Sequence, residues 1–145
     1  MLATLDLTTG VLTYAGDGNV NELTISVAAD VYTFAAGGAE TITILNDDSS
    51  TAAGGGTNTV TIGAVPGDIT SILVNMGDDA DTVNVNSTDD PTTINGEGDD
   101  DILTVALSGG AVPATITVDG GVDTTQDTLT INHAAGNADV VTVQA

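Results

Sequence analysis

The run NGEGDDDIL (95–103) sets glycines and acids at the spacing of a calcium loop. Gly96, Gly98, Asp100 and Ile102 fill the defined positions of the nonapeptide G-G-x-G-x-D-x-U-x, all but the first. The chemistry of that pattern is geometric. Glycines take a tight turn that exposes backbone carbonyls, an inward carboxylate adds hard oxygen, and the apolar residue anchors the next strand. Three looser copies surround it. MGDDADTVN (76–84) keeps Gly77, Asp81 and Val83, with Asp79 in place of the second glycine. GGVDTTQDTL (120–129) expands by two residues before Asp127, and AAGNADVV (134–141) keeps only Asp139 and its strand. The expected cofactor is therefore Ca2+, on a set drawn from Asp78, Asp79, Asp81, Gly96, Gly98, Asp99, Asp100, Asp101 and Asp127. The competing reading is plain turns, because Asp and Gly are favoured turn residues without any ion.

Other chemistries lack their residues. The chain has 21 acids, one His, and no Lys, Arg or Cys, for a net charge of −21. Thiol nucleophiles, Schiff bases and guanidinium clamps are excluded by composition. His133 ends the run TLTINH and reads as a turn residue rather than a base. Paired aspartates can hydrolyse glycosides, but nothing cationic is present to hold an anionic sugar. The sequence therefore predicts no enzyme. With no cationic side chain to neutralise phosphates, nucleic acid and anionic membranes are also poor partners. No stretch approaches the about 20 apolar residues of a membrane span.

The elements that must position these acids read as strands. The chain holds 25 Thr and 16 Val, β-branched residues that pack well on pleated surfaces. Runs alternating apolar with Thr, Asn or Ser recur: 3–8, 11–15, 22–28, 31–35, 41–45, 59–63, 69–76, 82–86, 92–96, 102–107, 115–119, 128–132 and 140–144. That alternation predicts strands with one buried face. No window carries helical spacing. The fold class is all-β, and the strand spacing fits a sandwich, a barrel or a solenoid. From residue 69 onward one unit recurs: strand, Asn or Asp, Gly, acidic cluster, strand. Repetition of a supersecondary unit implies stacking. The N-terminal half is less regular, and residues 46–58 (NDDSSTAAGGGTN) read as a long polar loop projecting from a single domain spanning 1–145.

The run ITSILVNMGDDADTVNVNSTDDPTTINGEGDDDILTV resembles the repeats of very large secreted bacterial surface proteins, notably those of planctomycetes, in the style of hemolysin-type calcium-binding repeats. The upstream GVLTYAGDGNVNELTISVAADVYTFA and GGGTNTVTI resemble segments preceding such repeats. The resemblance implies a right-handed parallel β-solenoid, an extracellular or cell-surface location, and a structural or adhesive role.

Together these features predict a stalk, filament or surface-layer segment stiffened by calcium. Its ends are expected to continue into a longer solenoid or to meet another copy head to tail. The alternative is a carbohydrate- or ligand-binding adhesin module with a polysaccharide partner. The three aromatics, Tyr14, Tyr32 and Phe34, are few for sugar stacking.

Overall fold

The computed structural model describes residues 2–8, 10–47, 52–63, 69–107, 115–122 and 126–133. These residues are all-β. Thirteen strands occur: β1 Leu2–Thr8, β2 Val11–Ala15, β3 Glu22–Ala28, β4 Val31–Ala36, β5 Thr41–Asp47, β6 Ala52–Ala53, β7 Thr59–Gly63, β8 Ser71–Gly77, β9 Thr82–Val85, β10 Thr92–Glu97, β11 Ile102–Leu107, β12 Ile116–Asp119 and β13 Thr128–His133. They form two sheets, ordered β12-β10-β8-β2-β1-β5 and β13-β11-β9-β3-β4-β7-β6.

Both sheets are mixed. In the first, β2, β8, β10 and β12 run parallel, and β2 turns back antiparallel onto β1, which pairs parallel with β5. In the second, β3, β9, β11 and β13 run parallel, and β4, β7 and β6 complete it in antiparallel pairing. The chain therefore steps from the first sheet to the second four times in the same sense, from β2 to β3, β8 to β9, β10 to β11 and β12 to β13. Of the strands between β3 and β8, β4, β7 and β6 form the antiparallel end of the second sheet, and β5 stands at the edge of the first in parallel pairing with β1.

Alternation decides which side chains meet between the sheets. Tyr14, Val74 and Ile94 align on one inner face, and Leu23, Val83 and Leu103 on the other, all buried. Phe34, Tyr32, Val60, Ile62 and Ile42 carry the same core under the antiparallel end. Intervening Thr, Asn and Ser residues are only partly buried, as Thr24, Asn84 and Thr104 illustrate.

The 46–58 expectation needs correction. Asn46 and Asp47 belong to β5 and Ala52–Ala53 form β6. Thr57 bridges back to Ile42, whose N–H donates to the Thr57 carbonyl at 2.7 Å while Gly56 N–H donates to the Ile42 carbonyl at 2.7 Å. Part of the polar run thus covers the outer edge of β5. The expected strand 140–144 lies outside the described residues.

Candidate functional site

Where the chain crosses from the first sheet to the second, one polar residue per crossing lines up in a column: Asn21, Asp81 and Asp101, which are buried, and Asp127, which is partly buried. Strand register makes them equivalent, since Glu22 pairs with Thr82, Thr82 with Ile102, and Ile102 with Thr128. Each carboxylate accepts the backbone N–H of the residue one rung before it. Asn21 N–H donates to Asp81 Oδ1 at 2.6 Å, Asp81 N–H to Asp101 Oδ1 at 2.9 Å, and Asp101 N–H to Asp127 Oδ1 at 3.0 Å. Backbone bonds run the other way: Thr82, Ile102 and Thr128 donate to the carbonyls of Asn21, Asp81 and Asp101 at 2.8–2.9 Å. Every rung is thus tied twice at this corner, and three N–H groups that a turn would leave orphaned find acceptors.

Glycines make room for the column. A Cβ on Gly96 would fall directly on Asp101 Oδ2 and on the Gly120 carbonyl, and one on Gly120 would fall on Asp127 Oδ2. Ahead of them, a Cβ on Gly16 would meet the Met76 carbonyl and the Asn21 side chain. Gly16, Met76, Gly96 and Gly120 precede their column residues by five, five, five and seven positions.

The column is electrostatically demanding. Asp81 is 1 % exposed and Asp101 is 2 % exposed. Asp81 Oδ2 and the Oδ1 of Asn21 are buried without hydrogen-bond partners. Burial pushes the Asp81 carboxyl up to about 7, with the negative charge of Asp101 adding to the rise and the Asn21 N–H opposing it. A third buried acid, Glu40, sits where the antiparallel end meets β2. Its Oε1 lies 3.4 Å from the Tyr14 hydroxyl, and burial raises its carboxyl above the ordinary range. Tyr14 is pushed far above the usual phenol range, chiefly by burial and then by Glu40.

The remaining expected residues surround this column rather than join it. Asp78, Asp79, Asp99 and Asp100 lie on the exposed side of the turns. Asp79 and Asp99, equivalent in register, both adopt left-handed backbone with φ of 76° and 67°, a region that Asp tolerates better than most residues. Asp100 Oδ1 accepts the Gln126 N–H at 3.2 Å, and Asp78 Oδ1 sits against Gly98. Among the described residues, no three His, Cys, Asp or Glu side chains converge where one metal ion could sit.

One expectation is overturned. The nonapeptide pattern puts Ile102 at the inward strand position after Asp100, yet it is 49 % exposed while Leu103 is buried. The inward residue of the DDD run is Asp101, stacked on Asp81, and a one-residue slip exchanges the faces of a strand. The Asp81 and Val83 assignments match the inward face. The sequence points to neither Asn21 nor Glu40, and to the aromatics only as sugar platforms; the five-residue spacing from Gly16 to Asn21 is the available signal.

At the opposite corner, Tyr32 performs the corresponding task for residues 86–91. Its hydroxyl accepts the N–H groups of Asp89 and Asp90 at 2.9 and 3.0 Å and donates to Asp90 Oδ2 at 2.8 Å. Thr88 and Thr92 join the same group through a 3.0 Å hydroxyl contact. Burial pushes the Tyr32 phenol up to about 12. All three aromatics of the chain are buried, so none offers a stacking platform for sugars.

Comparison of the chain with protein-family models, with curated proteins and with solved structures returned no match.

Proposed function

We propose that this chain is a structural segment of an extracellular surface protein: a β-solenoid stalk or filament whose two-strand rungs bear load, not a catalyst. The observation that carries the reading is the Asn21–Asp81–Asp101–Asp127 column, which ties successive rungs side chain to backbone at one corner. Such a column is costly to bury. Its return is a fixed register between rungs, and register is what a mechanical element requires.

Extension of the stack proceeds from β12 and β13, the outermost of the parallel strands described. Their inward residues are less covered than those of earlier rungs: Leu129 is 44 % exposed where the equivalent Leu103 is 1 %. Further rungs, from a longer chain or from a second copy stacked head to tail, would bury them. Calcium enters this reading as a counter-ion from solution, because the 21 acids have no Lys or Arg to neutralise them and self-repulsion on that scale opposes compactness.

Sedimentation velocity with negative-stain microscopy, in calcium and in chelator, tests the proposal. An elongated particle, lengthening where copies stack, is the expected result. A near-spherical monomer under every condition contradicts it. Parallel thermal melts separate the calcium part, since an ion that binds only the folded chain must raise its Tm.

A further inference from the structure

The joint between the antiparallel end and the first parallel rung is sealed by one buried acid. Glu40 precedes β5 and is 1 % exposed. It packs against three elements. From β2, the fully buried Tyr14 brings its hydroxyl to 3.4 Å from Oε1, a long contact for an O–H donor. From the β2–β3 turn comes the negative charge of Asp17, which the Glu22 backbone amide on β3 offsets only in part. Oε2 is buried with no hydrogen-bond partner. The Glu22 carboxylate leans over Gly37, three residues before Glu40, and Asp81 adds further negative charge on Tyr14 from the next rung.

An ionised carboxylate in this setting has one oxygen without a donor and acids on neighbouring turns. Neutralising it removes the repulsion and the buried charge together. We propose that Glu40 is a proton-operated clasp: neutral, it closes the antiparallel end onto the first rung, and ionised, it loosens that joint. β5 pairs with β1 and is bridged by Thr57, so loosening reaches the strand that follows Glu40 directly. The sign follows from linkage. A carboxyl whose proton is held more tightly in the folded chain stabilises that chain at low pH, and the contribution disappears as pH rises through its folded value.

The test combines two readouts on the intact chain. Carbon-detected NMR follows the Glu40 carboxyl in the unsubstituted protein, and its midpoint is expected above the ordinary Glu value of about 4.3. Hydrogen exchange at the β5 amides, corrected for intrinsic rates, is expected to lose protection as pH rises, and Glu40→Gln is expected to remove that dependence. The NMR readout stands even if Glu40→Gln folds poorly. A Glu40 midpoint at or below the ordinary value, or β5 protection that varies with pH equally in Glu40→Gln, overturns the clasp.

Discussion

The backbone N–H of Asp81 donates to the carboxylate of Asp101 across 2.9 Å, twenty residues further along the chain and one rung away in space. Because Asp101 in turn donates its N–H to Asp127, and Asp81 accepts from Asn21, Asp81 and Asp101 are each donor and acceptor at once. A carboxylate receiving backbone N–H groups is a charge-assisted acceptor and stronger than a neutral one. The relationship makes the corner an energetic unit that can be dissected one rung at a time.

Substituting Asp101 separates the acceptor from the charge. Asp101→Ala leaves the buried Asp81 N–H without its acceptor, a loss of about 1–3 kcal/mol. Asp101→Asn keeps an acceptor oxygen in place and removes a charge facing Asp81. Denaturant unfolding is expected to show a clear loss for Ala and a much smaller one, or a gain, for Asn.

The glycines of the NGEGDDDIL run divide into two kinds. Gly96→Ala drives a methyl into Asp101 Oδ2 and the Gly120 carbonyl, and overpacking of this sort costs about 1–3 kcal/mol or more. Gly98→Ala meets only Asp78 Oδ1, at 3.3 Å, with ordinary backbone. Thermal melts should place Gly98→Ala near the parent and Gly96→Ala well below it.

Asp81 gives the fold a pH dependence of known sign. Burial holds its folded-state carboxyl up to about 7, above the about 3.9 of an unfolded Asp. The folded chain therefore binds this proton more tightly. The contribution is full below the unfolded value and disappears as pH rises toward and past 7. Stability measured on raising the pH through that window should fall, and Asp81→Asn should flatten the curve and raise its alkaline end. Stability that increases with pH over the same window contradicts the assignment.

Tyr32→Phe removes the hydroxyl that holds the Asp89 and Asp90 N–H groups while leaving the ring in the core. The expected cost is about 1–3 kcal/mol, with the largest loss of hydrogen-exchange protection in residues 86–91. Uniform loss over both sheets would place the role of the hydroxyl elsewhere.

How much of this was legible in the sequence differs by element. Strands 11–15, 22–28, 59–63 and 102–107 were read to the residue, because Thr–apolar alternation carries its own period. The all-β class followed from the same signal. The DDD run was ambiguous: Asp99, Asp100 and Asp101 are chemically identical, and local pattern matching favoured Asp100. Only the stack on Asp81, a contact between rungs, selects Asp101. Asn21 escaped notice because an asparagine heading a column of aspartates has no signature in its own segment. Glu40 escaped because its burial depends on β2 and β3 folding over it. The direction of strand pairing was likewise invisible locally, since β4 and β9 share one alternation yet pair with β3 antiparallel and parallel respectively.

The central claim is that the aspartate column holds rungs in register against load, and single-molecule pulling tests it most directly. With the chain tethered at both ends, the account predicts stepwise extension at defined forces, and markedly lower forces for the β10–β13 rungs in Asp101→Ala. Smooth extension at low force, unchanged by Asp101→Ala, would contradict it.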